Sequence, residues 1–461
     1  METLKKSPYI QLVKDGEMFV IWHSLFGCPQ IINESGMELI NFFSEPRSVD
    51  EVKKIGQFDN TEESVAVLKK NYILVPSDFN EREFLEIKVS SYYESFSDGR
   101  GIDYLSLIIS EQCNFCCTYC ISNSMIDASY RKTTKKKIMR WETAKRAIDI
   151  FTSILRSHNK RKAYINFGGG EPLLNWEVVN KSLSYCKRRY EKEFEFTFRI
   201  NTNASLIDKP IAEILKVYDV KIALSMDGLK RANDRVRVSK SGKSAFSQII
   251  AAIDALSRIN FGVTGFSTTI TEANFDLIGE DLIIFSQERG FVDLRIDLDV
   301  IHMLSVPVET AVEKLLNLKR FAESRGVHVT GFWERPVENL NSSILEKHIA
   351  FCGGVAGKSM CVSPSEEVFI CGYSAGKFAD LSKEAIISSN IYRSIVSNRL
   401  VGRVERCRGC IIEGQCIGGC HITEEFGDLT KKTALQYNCE LYRQMTVELL
   451  KDSLKDATRS I

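Results

Sequence analysis

Histidine and proline are both scarce in this chain, at six and nine among 461 residues. Charge of one sign is missing too. The net charge is +1, so the bulk balance calls for neither nucleic acid nor an anionic membrane surface as partner. No apolar run is long enough to span a bilayer. The opening METLKKSPYIQLVKDGE lacks the apolar stretch of a secretory signal, which makes the cytoplasm the expected compartment. The shortage of histidine matters beside the fourteen cysteines, because it favours thiolate-only sites over mixed zinc sites. Eight of those cysteines lie between Cys352 and Cys439. In a reducing compartment such clustering points to metal or redox chemistry rather than disulfides. The apolar fraction of 44% and charged fraction of 26% are those of an ordinary globular protein, long enough for two or three domains.

The chain divides by pattern. Residues 1–90 read as a small unit, with alternating apolar positions in YIQLV, MFVIWHS and PQII for three strands and turns near Asp15-Gly16 and Gly27. Three helices follow. Ser48 with Glu51, and Asn60 with Glu63, have capping-box spacing. A polar stretch ending near residue 102 reads as a linker over 91–102. From 103 to about 320, strands alternate with helices: 105–110, 164–167, 196–200, 221–225, 263–270 and 294–300 are the expected strands. Such alternation predicts an α/β parallel sheet, open or rolled into a partial barrel, with its site on the loops after the strands. A bridging region at 321–350 then leads to a cysteine-rich segment at 351–461 with few long periodic elements. The basic run at 131–140 reads as a solvated loop, with docking of an acidic peptide as the alternative.

The segment SEQCNFCCTYC follows the first strand of the alternating region. Parsed as two Cys-x2-Cys pairs, it offers a cramped four-thiolate zinc site. Parsed as Cys113-x3-Cys117-x2-Cys120, it offers three thiolates to a four-iron cluster. A four-iron cluster takes four cysteines when complete, so one iron stays open for substrate chemistry. Cys116 is then a bystander, and Cys186 reads as core packing. One strand and one helix later comes FGGGEP at 167–172. Its glycines permit close backbone approach, and Glu171 can accept hydrogen bonds from an ammonium group. The spacing, its place after the first strand and the following glycine-glutamate motif together resemble the radical S-adenosylmethionine (SAM) superfamily.

That resemblance covers about residues 103–300 and implies a partial (β/α)6 TIM-like barrel. It assigns Cys113, Cys117 and Cys120 as catalytic cluster ligands. It places Tyr119 near the SAM adenine and Gly169, Gly170 and Glu171 at the SAM amino group. NTNA at 201–204 is similar to the family's third-strand motif, putting Asn203 in the site, although Ala204 stands for the usual glycine. LSMDG at 224–228 matches the fourth-strand motif, which implies SAM contacts for Ser225 and Asp227; Arg237 is a candidate carboxylate partner. Asp227 and Asn203 also have ordinary structural readings, as a loop cap and a backbone-bonding turn residue. In the family, one electron from the reduced cluster cleaves SAM to methionine and a 5′-deoxyadenosyl radical. The protein positions the reactants and excludes competing reactions. An external electron donor such as flavodoxin or ferredoxin is implied.

Cys407-x2-Cys410-x5-Cys416-x3-Cys420 and Cys439, with Cys352, Cys361 and Cys371 upstream, resemble the SPASM extension of peptide-modifying radical SAM enzymes. Glu366 stands where that pattern has glycine. The resemblance implies two auxiliary clusters, three [4Fe-4S] clusters in all. One would use Cys407, Cys410, Cys416 and Cys439. The other would use Cys352, Cys371 and Cys420, with Cys361 as its fourth ligand or else an open iron. A pair of structural zinc sites is the alternative.

Three strands followed by three helices ahead of such a core resemble, in order and position, the PqqD-like winged-helix-type α+β domain that recognises precursor-peptide leaders. A leader would add a strand at Phe26–Ile32 and pack on the helix around Val65–Tyr72, with Cys28 as a small filler. The expected function is therefore radical modification of a ribosomally made precursor peptide. A thioether cross-link is the first expectation and a carbon–carbon link the second. Sulfatase-type formylglycine formation is the rival, disfavoured because Gly372 stands where that relative has its basic aspartate. A zinc-stabilised peptide-binding adaptor is the alternative from another class. Arg295, Asp297 and Asp299 are candidates to face the substrate.

Overall fold

The computed structural model describes residues 2–56, 58, 60–96, 99–121, 137–302, 304–341, 349–426 and 433–459. The basic run therefore lies largely outside the described residues. No helix among them is long and apolar enough to cross a membrane.

The N-terminal module opens with β1 (Leu4–Lys6), β2 (Ile10–Asp15), β3 (Met18–His23) and β4 (Gly27–Ile32). Helices α1 (Glu34–Phe42), α2 (Val49–Ile55) and α3 (Thr61–Lys70) follow, then β5 (Leu74–Pro76). The order β2-β3-β4 makes an antiparallel sheet with β4 at one edge, while β1 and β5 pair separately. Ile21, Leu39, Phe43, Val65 and Leu68 form its core. The capping box forms at Ser48, whose N–H donates to Glu51 Oε2 at 2.6 Å. It does not form at Asn60. That residue adopts the left-handed conformation (φ 49°) and starts α3 with no side-chain cap, a geometry asparagine tolerates better than most residues.

The expected linker is also corrected. Residues 81–96 are one helix, α4 (Glu81–Phe96). Leu85 and Val89, four residues apart, are buried, and Tyr92 stacks on Phe96 and donates to the Ala356 carbonyl at 3.0 Å. The polar surroundings of so narrow an apolar stripe hid it from a composition-based reading.

The central sheet begins with β6 (Tyr104–Ser110), β7 (Lys162–Gly169), β8 (Glu195–Thr202), β9 (Lys221–Ser225), β10 (Gly265–Ile270) and β11 (Asp293–Leu298). These six match the expected strands. A seventh, β12 (His328–Thr330), lies in the stretch read as a bridge and pairs parallel to β11. All seven run parallel in the order β12-β11-β10-β9-β8-β7-β6. Strand order never reverses, as it would in a doubly wound sheet. Right-handed crossovers then put every helix on the same side, which is the winding of a partial barrel.

Alternation follows from that winding. Leu105, Leu107, Ile109, Ile165, Phe167, Phe198, Ile200, Leu294 and Ile296 are buried in the main core. Ser106, Asn166, Arg199, Ser267, Arg295 and Asp297 occupy the other parity, on the inner face away from the helices. The cysteine-rich segment is not a detached unit. Its strand β13 (Ser359–Val362) runs parallel beside β6, and β14 (Glu367–Phe369) and β15 (Lys377–Asp380) continue the same sheet. A boundary at 351 thus separates two parts of one ten-stranded sheet. The C-terminal helix Thr433–Arg459 packs on helix Val308–Ser324 and reaches back to β2 and β3.

Candidate functional site

Cys113, Cys117 and Cys120 occupy the loop after β6. Backbone bonds fasten this loop to the segment after helix Lys230–Val236: Cys116 N–H donates to the Val238 carbonyl at 2.7 Å and Thr118 N–H to the Val236 carbonyl at 2.9 Å. Lys240 Nζ donates to the Cys113 carbonyl at 2.8 Å. Donors also approach the thiols. Asn203 Nδ2 is 3.8 Å from Cys113 Sγ, and Arg237 Nη1 is 3.9 Å from Cys117 Sγ. Burial pushes the Cys117 thiol up to about 12, so its thiolate needs a cation or cluster to persist at neutral pH. Three thiols on one loop, with donors aimed at sulfur, fit an anionic iron–sulfur cluster whose sulfurs accept hydrogen bonds.

The glycine motif has a steric reason. A Cβ on Gly170 would stand 2.5 Å from the Gln112 carbonyl oxygen, and one on Gly169 (φ 122°) would stand 2.3 Å from the Ser110 oxygen. Both glycines let the end of β7 lie flat against the cysteine loop. Glu171 is fully buried. Its Oε1 accepts from Leu173 N–H and Thr202 Oγ1, and its Oε2 accepts from Asn203 N–H at 2.9 Å. Burial lifts its carboxyl to about 7. Oε2 keeps acceptor capacity for a further donor, such as an ammonium.

Tyr119, Asp227 and Arg237 converge on one another. Tyr119 Oη donates to Asp227 Oδ2 at 2.6 Å, and Arg237 Nε lies 2.8 Å from the same oxygen. Asp227 also accepts from Thr269 N–H. The buried partner of Arg237 in this structure is therefore the Asp227 carboxylate, and Asp227 ties the cysteine loop to β9 and β10. Asn203 bridges the same way, through Asn114 Oδ1 at 2.9 Å. Ala204, in place of glycine, is left-handed (φ 60°). Ser225 ends β9 on the inner face. Asn114 and Lys240 were missed by sequence reasoning; a polar residue inside the cysteine spacing was the only available signal.

The eight later cysteines fall into two sets by electrostatic proximity. Cys371 interacts with Cys420, Cys361 and Cys352; Cys416 interacts with Cys439, Cys407 and Cys410. Cys361 falls in the set of Cys371. Cys361 is buried against Ile108 and Phe369 on β13. Among the described residues, no three Cys, His, Asp or Glu side chains converge as a single metal ion requires.

Between the first loop and the Cys352/Cys371/Cys420 set, Ile121 packs in one apolar cluster with Val300, Ile301, Cys371, Cys420 and Ile422. Tyr373, half exposed, lies within electrostatic reach of Cys120, Cys371, Arg237 and Arg295. Arg295 pairs with Asp297 at 2.6 Å and stacks on Phe332. Asp299 instead caps its own loop, accepting from Ile301 N–H and bonding His302 Nδ1. Arg295 and Asp297 thus belong to the inner face and Asp299 to the scaffold. A cleft of about 600 Å³ lies elsewhere, between helix Val308–Ser324 and the C-terminal helix. Its arginines are paired internally, Arg443 with Glu440 and Arg320 with Asp452, so it carries no catalytic reading.

Comparisons with known proteins agree with this geometry. Residues 107–282 match the radical SAM superfamily. The chain is 26% identical to the radical SAM cyclopropyl synthase TigE of Paramaledivibacter caminithermalis, over 96% of this chain and 95% of that protein. It is 30% identical to the uncharacterized protein MJ0907 of Methanocaldococcus jannaschii, over 59% of this chain and 85% of that protein. Native anSMEcpe with bound AdoMet superposes with a TM-score of 0.63 at 19% identity, covering 78% of this chain and all (100%) of that one. Streptococcus suis SuiB bound to precursor peptide SuiA gives 0.51 at 14% identity, over 95% and 98%. With the three-cysteine loop, the glycine-glutamate turn and a singly wound sheet behind them, residues 107–282 form a radical SAM domain.

Proposed function

We propose that this enzyme modifies a ribosomally made precursor peptide by forming a carbon–carbon bond, with cyclopropane closure on an aliphatic side chain as the leading product class. The observation that carries this reading is likeness to a cyclopropyl synthase along nearly the whole chain. It reverses the sequence-based order in which a thioether came first.

Cys113, Cys117 and Cys120 would hold the SAM-binding cluster, and the two later cysteine sets the auxiliary ones. When bound, the first cluster with SAM supplies a one-electron reductive cleavage, fed by a flavodoxin- or ferredoxin-type donor, that yields a hydrogen-abstracting radical. The chain's own residues then govern orientation. Tyr119, Asp227 and Arg237 fix the cysteine loop against β9, and Glu171 fixes the end of β7 against β8. The inner face, with Arg199, Asn201, Arg295 and Asp297, would offer a polar wall to a substrate segment. The leader would add to the edge of β4, beside the exposed Ile31 and near Val67 of α3. Anchoring it there raises the effective concentration of the core residue at the radical site.

Anaerobically reconstituted protein, SAM, reductant and a candidate precursor peptide provide the test, read by mass spectrometry after iodoacetamide treatment. The expected product has lost two hydrogens and keeps every cysteine alkylatable. Loss of two hydrogens together with one blocked thiol would instead establish a thioether. Conversion of a thiol to an aldehyde would establish the sulfatase-type reaction. A colourless zinc protein that fails to cleave SAM would leave only the adaptor.

A further inference from the structure

The five residues between Cys410 and Cys416 do more than space two thiols. Trp22 Nε1–H of β3 donates to the Ile411 carbonyl at 2.8 Å. Gly414 N–H donates to the Ser24 carbonyl at 2.8 Å. Arg82 of α4 clamps Glu413, with Nη2 donating to Oε2 at 2.7 Å, and the glutamate is 2% exposed. The same Oε2 accepts from Gly409 N–H at 3.0 Å. With its amide oriented to satisfy its neighbours, Gln415 accepts from Gly27 N–H and donates to the Ser24 carbonyl, each at 3.1 Å. Its own carbonyl accepts from Asn339 Nδ2 at 2.7 Å. Four of the five residues therefore hold the N-terminal module or the short helix Arg335–Leu340 beside it.

We infer that this loop is the seat of the N-terminal module, so that loading of the Cys407, Cys410, Cys416 and Cys439 thiols and docking of the module stabilise each other. The inference rests on the reading that these four thiols hold a cluster. Its physical basis is that the loop cannot hold its shape alone. Its one helical turn, Glu413–Cys416, spans four residues, far too few to stand without outside support. Cys410 and Cys416 are its two ends, so ligation pins both. Released ends would carry Glu413 away from Arg82 and leave a buried charge unpaired, which is strongly destabilising. Linkage makes the effect reciprocal: a docked module must retain the cluster more tightly by the same factor. Gly27, which opens β4, sits directly on the seat, so a peptide strand added to β4 would meet an edge whose position depends on the cluster.

Hydrogen exchange on the full chain, paired with iron and zinc analysis, tests this. Removing one ligand with Cys410→Ala should speed exchange across Met18–Ile32 and the first turns of α4 at least tenfold. Cys352→Ala, which removes a ligand of the other set, should leave that region unchanged at equal iron loss. Should Cys410→Ala fail to fold, Trp22→Phe probes the link from the module side. Iron release to a chelator should then gain a phase several-fold faster than in the parent, amounting to about four of about twelve irons. Equal exchange in the two cysteine variants, or unchanged release from Trp22→Phe, would overturn the linkage. A parent protein that holds about twelve irons yet shows either result refutes the linkage alone. A parent short of four irons, with the module already exchanging as in Cys410→Ala, refutes the cluster reading as well.

Discussion

His23 shows how one buried side chain makes a module sensitive to acid. Its Nδ1 accepts from both Leu25 and Phe26 N–H at 3.2 Å, so the ring proton must sit on Nε2, facing Ser7 Oγ, which in turn donates to Glu81. Burial, helped by Arg82, lowers its pKa from 6.5 to about 3. Below pH 6.5 the unfolded chain therefore takes up a proton that the folded chain refuses. Stability is fully present above that value and is lost progressively as pH falls toward 3, to a total of about 5 kcal/mol. Thermal melts between pH 7 and 4.5 should show the N-terminal module loosening first. His23→Asn, which keeps an acceptor near Nδ1, should flatten that dependence. Gly170→Ala is the sharper test of the SAM site. Its Cβ would meet backbone at 2.5 Å, which has no rotamer to yield, so 5′-deoxyadenosine formation should fall more than tenfold.

The two departures from the family's glycine pattern are explained at the same scale. Ala204 and Glu366 both have positive φ, 60° and 63°, where glycine costs nothing sterically and an L-residue costs roughly 1–2 kcal/mol. Glu366 offsets this by reaching Arg146 at 3.0 Å and Thr143 at 3.1 Å on helix Trp141–Ser157. Motif spacing made the cysteine loop, the glycine-glutamate turn and a role for Arg237 as partner of a carboxylate legible in the sequence. The Asp227–Arg237 contact was not legible, because the arginine's charge would suit a ligand carboxylate equally well. Only the folded geometry showed a protein carboxylate within reach.

Among the elements, the strands of the central sheet were readable because each carries a strict alternation or a short apolar run bounded by turns. Helix α4 was not, since Leu85 and Val89 are too few to mark it against its charged neighbours. Yet α4 ties the N-terminal module to the cysteine-rich segment at three places. Arg82 reaches Glu413, Leu85 lies under Gly402, where an added Cβ would come within 2.9 Å, and Tyr92 reaches Ala356. Leu85→Ala should cost about 2–5 kcal/mol, read as a lower denaturant midpoint. The loss should appear in the cysteine-rich segment as much as in the module, because one helix braces both.

At the scale of the whole molecule, two kinds of cohesion meet. The sheet from β6 to β12 is held by a continuous apolar core, which also takes in Phe351, Met360, Val368 and Ile386 of the cysteine-rich segment. Residues 349–426 contribute three short strands and several short helices around thiols. Removal of iron should therefore expose residues 349–426 to protease well before β7, β8 and β9, with the fragment pattern followed by mass spectrometry. Intact protection after complete iron loss would show that packing alone suffices there.

The placement of β13 beside β6 has a consequence for synthesis. Tyr104 and Ser106 emerge early from the ribosome, but their partners Ser359 and Cys361 emerge only after the rest of the barrel. Until then β6 presents an open parallel edge, the kind of surface on which nascent chains pair wrongly with one another. Translation pace and chaperone capture across the middle of the message thus become determinants of yield, and slowed elongation in a heterologous host should increase inclusion-body formation without any change in the folded protein.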